Sequence, residues 1–244
     1  MTDSAPAAGS PAPKSFVSRF LGVLFSPRET FASVVAHPTW VGMLALSTLV
    51  AAAAMYMLLS TEAGQQAALD QSVAAVESWG GTVDDAAYAR LEKQAALSKY
   101  INPIAILIIG PLITFAIAGI LLGVFNALLG GVARYKQVLS VVAHTAPISV
   151  VQQVFTTPLN YFRGSLSSPT NLSVFFPMLE ENGFLASFLG AIDLFLVWWV
   201  FALAIGLAVL YRRRTRPVAF GLLATYGVIA LGIALAKSLF SRAS

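Results

Sequence analysis

Residues Ala186 to Tyr211 read ASFLGAIDLFLVWWVFALAIGLAVLY and run directly into Arg212, Arg213, Arg214, Thr215 and Arg216. About 25 nearly uninterrupted apolar residues are enough for a helix to cross a hydrocarbon core of about 30 Å. An arginine cluster at one end of such a run marks the side on which basic loops are retained. One charge, Asp193, interrupts the run, and Trp198 and Trp199 follow it. The stretch sets the class of the protein, an all-α integral membrane protein, and orients its other segments.

Composition supports that class. The chain is 57% hydrophobic and 11% charged, with a mean hydropathy of +0.77. Soluble domains carry about 25% charged residues, so lipid must replace water over much of this surface. The net charge of +4 comes from basic residues at the ends of apolar runs. No basic patch interleaved with aromatics appears, and nucleic-acid binding is not expected. Cysteine is absent, which excludes disulfides and thiol chemistry. No cofactor or metal is expected.

Working outward, four further apolar runs appear. The five expected spans are 39–60, 103–132, 137–155, 186–211 and 217–236. The second carries a small-residue stripe, Gly119, Gly123, Ala127 and Gly130, that permits close helix approach. The third contains Ser140, His144, Thr145, Pro147, Ser149, Gln152 and Gln153. A span this polar should face protein rather than lipid, and Pro147 should kink it. Residues 156–185 read as a loop.

Three segments lie outside the spans. Residues 1–13 read as a disordered Ala/Pro/Ser tail. In residues 14–36, Phe16, Val17, Phe20, Leu21, Leu24 and Phe25 share one helical face, with Lys14 and Arg19 off it. That pattern suits amphipathic helices in the headgroup region; packing on the end of the bundle would give the same pattern. Residues 61–100 carry many of the charges. They read as a small extracytoplasmic helical hairpin with a turn at Trp79-Gly80-Gly81. The membrane domain as a whole covers 37–240.

With the N-terminus inside, the inner segments hold Lys14, Arg19, Arg28, Arg134, Lys136 and the four arginines of the 212–216 run. The outer segments hold Arg90, Lys93, Lys99, Arg163, Lys237 and Arg242. The inner residues crowd the span ends, where the positive-inside rule operates. The expected arrangement is an inner (plasma) membrane protein with a cytoplasmic N-terminus and an extracytoplasmic C-terminus.

The candidate sites are few. An intramembrane carboxylate is costly, which makes Asp193 the leading functional candidate. It lies about 28 Å from Arg212 along a helix, near the outer edge of the bilayer. His144 lies only about 12 Å from the inner edge, so the two do not form a proton-relay pair. Gln152 and Gln153, about 24 Å and 26 Å above Lys136, reach the depth of Asp193 and are its expected hydrogen-bond partners. His144 should bond a neighbouring helix, and Asn126 should donate an interhelical hydrogen bond. Gly119, Gly123, Pro147 and Gly206 are expected to shape helix packing.

Three short motifs carry a resemblance. Ser26-Pro27-Arg28-Glu29-Thr30-Phe31, then Val142-Ala143-His144-Thr145-Ala146-Pro147, then Asp193-Leu194-Phe195 with Trp198 and Ile205-Gly206-Leu207, resemble the Yip1 domain family of five-span membrane proteins. The resemblance runs roughly from Phe16 to Lys237. Its eukaryotic members associate with small GTPases and with proteins of similar fold. Here no Asp-Leu-Tyr-Gly-Pro motif precedes the spans and the tail is short, so GTPase binding is not carried over. The Ala-rich style resembles bacterial members. The implied function is non-enzymatic, in membrane organisation or interaction, with the bilayer, a second copy or other membrane proteins as partners. The alternative is a small transporter or channel for an unidentified solute or ion. No residue set supports an enzyme.

Overall fold

The span expected to be the most polar is also the most enclosed. A computed structural model describes residues 12–78, 80–180 and 183–241. Most of the expected tail, together with Trp79, Glu181 and Arg242, therefore lies outside the described residues. The described chain folds into helices α1 (Phe16–Phe25), α2 (Pro27–Ala36), α3 (Val41–Leu59), α4 (Glu62–Ser78) and α5 (Asp85–Leu122). After a π-helical segment, Gly123–Leu128, come α6 (Tyr135–Ala143), α7 (Ala146–Arg163), α8 (Phe184–Gly190), α9 (Leu194–Leu210) and α10 (Thr215–Ser241).

Among the described residues, four stretches are long and apolar enough to cross a membrane: Val41–Leu59, Asp85–Leu128, Tyr135–Arg163 and Thr215–Ser238. In the most apolar window of Tyr135–Arg163, 61% of residues are buried, against 11% for Asp85–Leu128 and 17% for Thr215–Ser238. Two buried hydroxyls of the Tyr135–Arg163 span are satisfied by carbonyls three or four residues back. The Ser140 hydroxyl donates to the Lys136 carbonyl at 2.7 Å, and the Thr145 hydroxyl donates to the Val142 carbonyl at 2.7 Å. A segment with its hydroxyls closed in this way can be buried against other helices at little cost. The lipid-type surface is on α5, where Ile104, Ile108, Leu112 and Ile113 are all more than half exposed.

Several expected boundaries are corrected. The opening stretch is not one helix. It breaks into α8 and α9, with Asp193 as the N-cap of α9. The 17 residues of α9 rise only about 25 Å, and α9 is shorter than the four long stretches. The expected third span is α6 and α7, separated at His144 and Thr145. Pro147 stands in the first turn of α7, where its missing N–H costs no helical bond. The loop expected from residue 156 begins only after Arg163. Gly164, at φ 56°, turns the chain out of α7 in the left-handed conformation glycine tolerates. No break occurs near residue 103. Helix α5 runs from Asp85 through Pro103 and Pro111, and its first turns pack with α4 around Leu59, Ala68, Leu69 and Ala95.

The main core joins α2, α5, α6, α9 and α10 through Phe31, Ala118, Val138, Val141, Leu203, Leu207 and Val218. Helix α2 is docked on this core, with Phe31 and Val34 fully buried. Helix α1 behaves differently. Its apolar residues Phe16, Val17, Leu21 and Phe25 are exposed, while Arg19 is buried. The Arg19 guanidinium donates to Thr39 Oγ1 at 2.7 Å, to the His37 carbonyl at 3.2 Å and to the Lys14 carbonyl at 3.1 Å. Burial pushes its pKa below the usual arginine value. The face of α1 that carries Arg19 and Val23 thus turns to protein, while Phe16, Val17, Leu21 and Phe25 face outward.

Candidate functional site

Two polar assemblies lie at opposite ends of α9. The first is built on Asp193. Its Oδ1 accepts from the backbone N–H of Phe195 at 2.8 Å and of Leu196 at 3.1 Å, which caps α9. Its Oδ2 accepts from Thr170 Oγ1 at 2.7 Å and from the Ser168 hydroxyl. The Asp193 N–H donates to the Tyr226 hydroxyl at 3.0 Å, and that hydroxyl donates to the Ala191 carbonyl at 2.7 Å. Backbone bonds from Leu172 to Ile192 and from Leu194 to Thr170 lay the 168–175 loop against this point. The side chain and backbone N–H of this one residue together tie the start of α9 to the loop after α7 and to the middle of α10.

The expected partners of Asp193 are corrected by this geometry. Its carboxyl is satisfied by Ser168, Thr170 and two backbone amides, not by Gln152 and Gln153, which are part-buried on α7. Ser168, Thr170 and Tyr226 were missed from sequence because each is more than 20 residues from Asp193. A local signal that could mark a capping loop is the hydroxyl-rich run Ser165 to Thr170.

The other candidates also act locally. His144 is buried at the α6–α7 break, and its Nδ1 lies 2.7 Å from the Ser140 carbonyl of its own helix. Asn126 does not bond a neighbouring helix. Its Nδ2 donates to the Ala133 carbonyl at 2.8 Å and its Oδ1 accepts the Ala133 N–H at 3.3 Å, closing the turn after the π-helical segment.

The glycines separate into two kinds. A Cβ on Gly206 would meet Val141 Cγ1 at 2.5 Å and the Phe31 ring at 3.0 Å, so α2, α6 and α9 meet across it. Gly119 and Gly123 have nothing within 4 Å of such an atom. The close approach expected at these two is not made inside the chain. Gly123→Leu is therefore expected to leave the melting temperature of the protomer in detergent unchanged. A lower melting temperature together with loss of a larger species on size exclusion would place a second copy on the stripe.

The second assembly is the basic end of α9. Arg28 on α2 and Arg212, Arg213, Arg214 and Arg216 after α9 line an open cleft of about 820 Å3 floored by Ala32, Ala208 and Val209. Arg213 donates to the Leu129 carbonyl at 2.5 Å, which fixes the turn after α9 to the turn after α5.

A family model described as Yip1 domain matches residues 21–236. No curated protein and no solved structure matches the chain.

Proposed function

The chain belongs to the Yip1 domain family, and on that premise we propose that it is a non-enzymatic inner-membrane protein that organises or recruits other membrane components. In this reading α9 is a fifth crossing beside the four long stretches, the N-terminus is cytoplasmic and the C-terminus extracytoplasmic. Helix α1 lies in the inner headgroup layer, and α4 with the first turns of α5 forms the extracytoplasmic hairpin.

The carrying observation is what happens to the polar groups. A transporter needs an intramembrane polar residue directed at a pathway. Asp193 instead caps a helix, and Ser140 and Thr145 donate their hydroxyls to nearby carbonyls of the same span. The outward surface is apolar, as on α5, and suits contact with lipid or with other membrane helices.

Reporter fusions after Gly80, Tyr135, Ser168 and Thr215 test the arrangement. Extracytoplasmic signal is expected at Gly80 and Ser168, and cytoplasmic signal at Tyr135 and Thr215. Cytoplasmic signal from the Gly80 fusion would overturn it. Co-purification from native membranes, with bound proteins and lipids identified, tests the organising role; a chain recovered alone from every lipid background would count against it.

A further inference from the structure

We propose that the basic end of α9 is a binding site for one anionic phospholipid, with its phosphate on the arginines and one acyl chain in a groove between the π-helical segment and α10. The site goes beyond the organising role and does not depend on which side of the membrane it faces.

The headgroup half rests on unspent charge. Among the described residues, the side chains of Arg28, Arg212, Arg214 and Arg216 make no hydrogen bond or ion pair within the chain, and no acidic side chain lines their cleft. The nearest acid in sequence, Glu29, approaches Lys14 instead, at 4.0 Å. These cations come from two elements far apart in sequence, brought together because α2 docks on α9 through Phe31. Guanidinium groups present paired N–H donors that match phosphate oxygens.

Backbone conformation adds a second observation. Arg212 is the one described residue other than glycine with a positive φ, at 51°. Glycine is the usual residue where a helix ends in this conformation, and a bulkier residue there carries a steric cost. An arginine kept at such a point is consistent with a use for its side chain.

The acyl half rests on adjacency. Arg213 lines the cleft and also an apolar groove of about 380 Å3 between Val124, Phe125 and Leu129 on one side and Val218, Gly221 and Leu222 on the other. The groove meets the cleft at Arg213 and follows the first turns of α10, one of the four helices able to cross a bilayer. A free phosphate would use only the cleft. A phospholipid uses both, and the adjacency of the two at Arg213 points to a lipid.

Purified protein in detergent is titrated with phosphatidylglycerol, with phosphatidylcholine of the same acyl chains, and with inorganic phosphate, and bound lipid is counted by native mass spectrometry. Phosphatidylglycerol should be retained in preference to phosphatidylcholine. The double variant Arg28→Gln/Arg214→Gln alters only exposed side chains without partners. It should weaken phosphatidylglycerol binding by about fivefold per arginine removed and leave phosphatidylcholine unaffected. Gly221→Leu, where an added Cβ meets no neighbour, should fill the groove and weaken phosphatidylglycerol. Equal retention of the two lipids, or unchanged phosphatidylglycerol binding in the arginine variant, would overturn the site. Inorganic phosphate binding as tightly as phosphatidylglycerol, with Gly221→Leu silent, would overturn the lipid in favour of a soluble anion.

Discussion

Gly206→Leu is expected to lower the melting temperature in detergent by roughly 2–8 °C, a net cost of about 1–2 kcal/mol at about 2–4 °C per kcal/mol for a chain of this size. The sign is not obvious from helix propensity, because replacing glycine inside a helix normally gains up to about 1 kcal/mol. The space decides it. The first added carbon already falls 2.5 Å from Val141 Cγ1 and 3.0 Å from the Phe31 ring. Both of those side chains are fully buried and cannot turn away. Overpacking a closed contact costs about 1–3 kcal/mol, sometimes more, and leucine adds three carbons beyond the first. Gly119→Ala is the control. With nothing within 4 Å, it should be neutral or slightly stabilising. A Gly206→Leu protein that melts with wild type would mean that α2 does not seat on α9 at Phe31, and the arginine cleft would lose its geometry with it.

Asp193→Ala should cost about 2–4 kcal/mol. Loss of the α9 cap accounts for about 0.5–2 kcal/mol. The remainder comes from the Ser168 and Thr170 hydroxyls, which lose their carboxyl acceptor and keep only each other, at 3.1 Å, at about 0.5–1.5 kcal/mol per lost hydrogen bond. Asp193→Asn should be milder, about 1 kcal/mol. The amide oxygen can keep the Phe195 and Leu196 N–H groups, and the Ser168 and Thr170 hydroxyls can rotate to accept from the amide N–H. Melting temperature and membrane yield of both variants check the order. Wild-type stability for both would reject the capping role. A stable Asp193→Asn that abolished a transport or growth phenotype would revive the transporter reading.

Much of the membrane domain was legible without coordinates. Long apolar runs, the arginine cluster at 212–216 and the polar third span follow from local composition, because hydropathy and charge depend on the residues themselves. The enclosure of Ser140, His144 and Thr145 was foreseen for the same reason: polar groups in an apolar solvent must turn toward protein. The helix boundaries were less legible. A continuous apolar run over residues 186–211 hides a break at Asp193, since hydropathy does not distinguish a residue inside a helix from the residue that caps it.

The sequence by itself determined that this is a multi-pass helical membrane chain, which residues are too polar for lipid, and that Arg19 lies off the apolar stripe of residues 16–25. Tertiary structure alone decided who meets whom. Gly206 and Gly119 are the same residue in similar apolar helices, yet one is the contact of three helices and the other has open space beside it. Asp193 finds Ser168, Thr170 and Tyr226 rather than the glutamines at matching depth. Arg28 joins arginines nearly two hundred positions away. The physical reason is common to all three. Burial and hydrogen bonding depend on contacts between distant segments, and depth along a helix restricts those contacts without selecting among them.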